Sequence, residues 1–267
     1  MNKSYALNAQ QQQQYDEQGY LSPIPVFSAE KAKQLRAKLE AFEATHDPSM
    51  RLELHLLQRW AWDVAHSPQV VDPVVSLLGP NVLLWSLQWF IKEPGQGKIV
   101  SLHQDANYWG QEPHDVLTAW IALSPAPQDT GPMQFLGGSH KGPLFDHDNT
   151  YAENNLLSRG QTIKTDVAQE QLHLAALQAG EMSLHHIRLI HGSGINHSSD
   201  RRIGMVLRFC ATHVQQTKGD DTAVLVAGED AYGHFELLTG PSEDGSETQK
   251  ALHLDAVKKL NKIVMAD

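Results

Sequence analysis

A chain of 267 residues with 41% hydrophobic content can bury a sizeable core, and a formal charge of −10 leaves no basic footprint for nucleic acid. No apolar run reaches membrane-spanning length, no leader-like stretch is expected near the start, and the single Cys210 excludes an internal disulfide framework. A cytoplasmic protein with a small-molecule partner, and none in nucleic acid or membrane, fits these bounds.

The glutamine run at residues 10–14 fits the solvated face of a first helix. In SAEKAKQLRAKLEAFEA, Ser28 can cap, and Ala32, Leu35, Leu39 and Phe42 form one stripe at helical spacing. Residues 51–66 and 68–78 also read as helices, with Pro68 and Pro73 suited to helix starts and Gly79-Pro80 as a stop. Residues 1–80 are therefore expected to be mostly helical. The texture changes at VLLWSLQWFIK. Period two puts Leu83, Trp85, Leu87, Trp89 and Ile91 on one strand face, with Ser86, Gln88, Phe90 and Lys92 on the other. Further strands are expected at 98–103, 115–123, 132–136, 181–190 and 201–214. Residues 141–178 are polar and lack period two, which suits a lid on the rim. Residues 215–267 form a C-terminal extension that ends in a helix over 249–264, striped by Leu252, Ala256, Leu260 and Ile263. Helices, then many short strands, then a helix predict a mainly β fold with flanking helices. We expect one domain over 1–267, with a jelly-roll barrel core at 81–214.

Two segments carry candidate chemistry. In LHQDANYWG, an extended backbone would put His103 and Asp105 on one face, because a strand repeats every two residues. The pair alone does not separate a metal site from a polar turn. In LHHIRLIHGSGINHSSDRRIGMVLRF, adjacent His185 and His186 point to opposite faces of a strand and are read as supporting residues. His191 ends an apolar run just before Gly192-Ser193-Gly194 and is placed to project from a barrel mouth. Two histidines and one carboxylate leave open positions on an octahedral metal, which suits Fe(II) that must bind a cosubstrate and O2 together. Arg202 follows at the start of the next strand, where its planar fork can clamp a carboxylate, with the Ser193 hydroxyl as a possible second donor.

The segments GPNVLLWSLQWFIKEPG, LHQDANYWG, LTAWIALSPAPQDTGPMQFLGGSHKG, LQAGEMSLHH and IHGSGINHSSDRR together resemble the phytanoyl-CoA dioxygenase family of Fe(II)/2-oxoglutarate oxygenases. They cover roughly residues 79–210. The resemblance implies a double-stranded β-helix of the cupin-like type. It implies iron ligands at His103, Asp105 and His191, and a 2-oxoglutarate clamp at Arg202 with Ser193 beside it. It also implies Trp120 near the cosubstrate and Gln88 lining the same pocket. Halogenating relatives replace the metal carboxylate by Ala or Gly; Asp105 is present, which points to hydroxylation or another oxidative outcome and not to halogenation. The implied activity consumes 2-oxoglutarate and O2 at Fe(II), releases succinate and CO2, and hydroxylates a small polar metabolite. Candidate substrate contacts are Tyr108 and Trp109 just after the ligands, His55 from the preceding helix, and Lys92, placed at the rim. The alternative is a cupin-like barrel that binds a metal or small molecule without redox chemistry, which the fold alone would permit.

Overall fold

The computed structural model describes residues 4–266. Helix α1 (Ala9–Gln18) carries the glutamine run. Asn8 Oδ1 accepts from the Gln11 N–H at 2.9 Å, and the Asn8 N–H donates to Gln11 Oε1 at 3.0 Å. This reciprocal cap starts the helix, and Gly19 at φ 76° stops it. Strand β1 (Tyr20–Pro25) follows, within the region expected to be mostly helical. Its two prolines hid it, and they are tolerated because β1 is an edge strand. Helix α2 (Ala29–Glu43) is capped by Ser28 and buries the predicted stripe.

The helix expected over 51–66 is broken into short 3-10 turns at Pro48–Arg51 and Leu54–Leu56, then α3 (Arg59–Ala65). The break is at Glu53, which stands at φ 55°. Its N–H donates to the Leu87 carbonyl at 2.9 Å and its Oε1 accepts from the Leu87 N–H at 3.2 Å. Anchoring to a neighbouring strand thus overrides local helix propensity. Helix α4 (Pro68–Leu78) starts at Pro68 as expected, but Pro73 lies inside it and starts nothing.

The strands are β2 (Val82–Lys92), β3 (Val100–His103), β4 (Val116–Ala122), β5 (Met133–Leu136), β6 (Leu172–Ala175), β7 (Glu181–His186), β8 (His191–Ser193), β9 (Arg202–Ala211), β10 (Thr222–Ala227) and β11 (Glu236–Leu237). Short helix α5 (Ala106–Trp109) follows β3, and α6 (Glu247–Val264) lies toward the end of the chain. A large sheet runs β1-β7-β4-β9-β2-β10-β11 and a small one runs β3-β8-β5-β6. Among the described residues no strand pair joins the two, so the jelly roll is a two-sheet sandwich with flanking helices rather than a closed barrel. Strand β7 stops at His186, whose Nδ1 accepts the Arg188 N–H at 3.1 Å and turns the chain. The polar excursion at 141–178 contains a ribbon, His147–Asn149 paired with Gln161–Ile163, and ends in β6, which is part of the small sheet.

One irregularity in β2 corrects its predicted faces. Arg208 pairs with Ser86 but Phe209 pairs with Leu84, so Trp85 is the extra residue of a bulge. Strict alternation fails there. Trp85 turns to Trp109 and donates its Nε1–H to Asp221 at 2.7 Å, whereas Trp89 packs on Trp60 in a different core cluster. That cluster joins Leu87, Leu117, Ile121, Met205 and Leu207 of the large sheet to Leu35, Leu39, Val70 and Val74 of the helices. Among the described residues no helix is long and apolar enough to cross a membrane.

Candidate metal centre

The two sheets meet around a cluster of ionisable groups. Strands β3 and β8 pair with His103 opposite His191, and the two rings lie 4.2 Å apart. Asp105 reaches them differently from the extended geometry expected of an i, i+2 pair. β3 ends at His103, and Asp105 has helical backbone angles (φ −63°, ψ −34°) at the start of α5. The Ala106 N–H donates to the Ile187 carbonyl at 3.1 Å and fixes that turn. His103 Nε2 then lies 3.3 Å from Asp105 Oδ1, and His191 Nε2 lies 3.7 Å from Oδ2. One ligand atom from each of these three buried residues falls within 4.8 Å of the others.

Both imidazoles are oriented by their own strands. His103 Nδ1 donates to the Ser101 carbonyl at 2.8 Å, and His191 Nδ1 donates to the Leu189 carbonyl at 2.9 Å. A carbonyl can only accept, so each Nδ1 carries a proton, which leaves each Nε2, the atom nearer Asp105, as the one that would ligate a metal. Burial pulls His191 down to about 4, with His103 adding to the effect. Burial alone would raise Asp105, but His191 and His103 outweigh it and hold the carboxyl below the usual range. Neutral imidazole and ionised carboxylate are the forms a metal binds.

A cavity of about 160 Å³ opens beside this cluster. The pairing register arranges the large sheet's inner face in rows. His185, Thr118, Arg208 and Ser86 form one row across β7, β4, β9 and β2; Ser183, Trp120, Val206 and Gln88 form the next. Arg202 lies further along β9, fully buried, with Nη1 donating to the Gly131 carbonyl. Its guanidinium stands 5.2 Å from the Trp120 ring centre. Gly204 makes room for that indole, since a Cβ there would fall 2.2 Å from it. Arg202 Nε and Nη2, and Trp120 Nε1, have no hydrogen-bond partner among the described residues. Burial pulls Arg202 down to about 9, which leaves it a cation at neutral pH. Buried donors without partners are costly, and a carboxylate would satisfy all three.

The sequence-predicted residues divide clearly. Gln88, Tyr108, Trp109, Trp120 and Arg202 line the cavity together with His103, Asp105 and His191. Ser193 is buried but is not among the lining residues; its hydroxyl accepts from Lys92 Nζ at 2.6 Å. Lys92 is no rim residue. It is fully buried and also donates to the Gly194 carbonyl, tying β2 to the loop after β8. Burial and then Arg202 push its pKa down to about 6. His55 does not reach the cavity: it is buried in the Leu54–Leu56 turn, 6.3 Å from the Trp62 ring centre. Arg208, Thr118 and His185 are among the cavity residues that were missed or read only as support. The alternation of GMVLRF held the signal for Arg208, which stands at an even spacing from Arg202.

Two imidazoles and a carboxylate leave part of a metal's coordination sphere to small molecules, and an open guanidinium in the same cavity suits a carboxylate at the far end of one of them. Such a centre in a jelly roll defines the non-haem Fe(II) and 2-oxoglutarate-dependent dioxygenases, and this chain is one of them, with O2 as the third reactant. The chain belongs to the phytanoyl-CoA dioxygenase family, whose model matches residues 15–204. It is 28% identical over 254 residues to a probable alpha-ketoglutarate-dependent hypophosphite dioxygenase of Stutzerimonas stutzeri, covering 86% of this chain and 85% of the relative. It is 31% identical over 147 residues to the peroxisomal phytanoyl-CoA dioxygenase of Bos taurus, covering 53% of this chain and 43% of that one. Among solved structures, the apo form of the non-heme monooxygenase ThoJ superposes with a TM-score of 0.84 at 28% identity, covering 94% of this chain and 96% of that one.

Proposed function

We propose that the enzyme hydroxylates a small polar metabolite while 2-oxoglutarate is converted to succinate and CO2. In this reading His103, Asp105 and His191 hold the Fe(II), and Arg202 with Trp120 Nε1 receives the far carboxylate of 2-oxoglutarate. The bound iron and cosubstrate supply O2 activation and the oxidising power. The chain's own residues fix the imidazole tautomers, orient the cosubstrate and keep water out with Phe90, Val100, Met133, Val206 and Leu260. Two findings support a small substrate. The cavity of about 160 Å³ is below the range of roughly 300–1,000 Å³ usual for drug-sized ligands. The relative aligned over most of its own length is named for hypophosphite, whereas the Bos taurus enzyme aligns over 43% of its length. The single buried Cys210 fits a reducing, cytoplasmic setting.

The observation that carries this reading is the oriented His103–Asp105–His191 cluster facing the unpartnered donors of Arg202. The test is anaerobic addition of Fe(II) and then 2-oxoglutarate to metal-free protein. A visible metal-to-ligand charge-transfer band is expected, absent in His191→Ala and Asp105→Ala. A folded, iron-loaded wild type without the band overturns the assignment.

A further inference from the structure

The row His185–Thr118–Arg208 lies across three adjacent strands, and all three residues line the cavity. Each carries a buried polar atom with no hydrogen-bond partner among the described residues: His185 Nδ1, Thr118 Oγ1 and Arg208 Nε. The arginine is held in place by neutral groups only. Nη2 donates to Gln88 Oε1 at 2.6 Å, Nη1 donates to Ser86 Oγ at 3.2 Å, and the guanidinium lies 4.5 Å from the Trp109 ring centre. No ion pair to Arg208 occurs among the described residues. A cation fixed and stacked in this way, with its remaining donor open, is preorganised for an anion.

Charge matching identifies which anion. In the loaded site Fe(II), Arg202 and Arg208 bring four positive charges against three negative ones from 2-oxoglutarate and Asp105, and Asp105 acts on Arg208. Burial drives Lys92 and Glu53 toward their uncharged forms. One buried positive charge is left in excess, which is costly, and Arg208 Nε is an open donor that can meet a further anion. Arg202 is six residues away on the same strand, or about 20 Å of backbone, and its guanidinium meets Gly131 and Trp120 where that of Arg208 meets Ser86, Gln88 and Trp109, so the two arginines offer separate donors.

We propose that the row Arg208–Thr118–His185 is the primary-substrate subsite and that it takes a compact monoanion whose charge is on a carboxylate or a phosphorus oxyanion. This deepens the hydroxylase reading and rests on it. The test is calorimetric titration, without oxygen, of the protein loaded with Fe(II) and 2-oxoglutarate. The probes are acetate, hypophosphite and neutral acetamide. At least one anion is expected to bind tenfold or more tightly than acetamide, and the better one tells carboxylate from phosphorus oxyanion. Arg208→Gln is expected to abolish the preference and leave 2-oxoglutarate affinity within twofold, while Arg208→Lys keeps part of it. Equal or absent binding of the three probes to the wild type overturns the proposal, whether or not the variants fold. A tenfold loss of 2-oxoglutarate affinity in Arg208→Gln also overturns it, because the guanidinium then serves the cosubstrate. Failure of 2-oxoglutarate itself to bind the metal-loaded protein would instead strike at the hydroxylase reading.

Discussion

Arg202 separates charge from shape. Its one filled donor goes to the Gly131 carbonyl, and the open Nε and Nη2 offer a planar fork beside Trp120. Arg202→Lys keeps a cation and loses the fork. A hydrogen bond to a charged group is worth about 1.5–3 kcal/mol, so 2-oxoglutarate affinity should fall by roughly 10- to 100-fold. Titration of the charge-transfer band measures it, and an unchanged affinity would remove Arg202 from the cosubstrate site. Spacing and the family resemblance single out His103, Asp105, His191 and Arg202 in the sequence, but not the helical turn that brings Asp105 to the two imidazoles. Lys92 and His55 were misplaced for a different reason. Their positions depend on partners far away in the chain, Ser193 and Gly194 for one and the broken helix around Glu53 for the other.

Strands and turns set how well the residues are aimed. Gly204 is a strand interior glycine, ordinarily a weakness, kept here because the Trp120 ring crosses the backbone. Gly204→Ala should cost about 1–3 kcal/mol by overpacking and lower the denaturant midpoint, with weaker 2-oxoglutarate binding as the indole shifts. Gly194→Ala is the control, since a Cβ added there would meet nothing within 4 Å. Equal midpoints for the two variants would show that Trp120 has room to spare. Alternation revealed β2, but not the bulge at Trp85, because a bulge is set by the paired strand and leaves no mark in period two. The same limit applies to β1, whose two prolines argue against a strand anywhere but at a sheet edge. α5 is too short for periodicity to reveal, yet it turns Asp105 toward both imidazoles.

The whole molecule keeps the His103–Asp105–His191 cluster on the small-sheet side, in β3, β8 and the start of α5, and keeps Arg202, Trp120 and Arg208 on the large sheet. A net charge of −10 surrounds a cavity walled by two arginines, so the interior field opposes that of the surface. A metal and cosubstrate held by residues that only folding brings together stabilise the folded state. At a ligand concentration about a hundredfold above Kd the gain is roughly 2.7 kcal/mol, so 2-oxoglutarate with Ni(II) should raise Tm by several degrees, and 2-oxoglutarate alone by much less. Equal shifts with and without metal would place the cosubstrate elsewhere. The seam between the sheets has a wider consequence. A molecule anchored on one sheet and clamped by the other acts as a strut, and its fixed length gauges the thickness of the sandwich. Substitutions in the outer core, at Leu87 or Met205 for example, can therefore detune catalysis by changing sheet spacing alone, and amide exchange in β8 and β9 should slow together when the strut is in place.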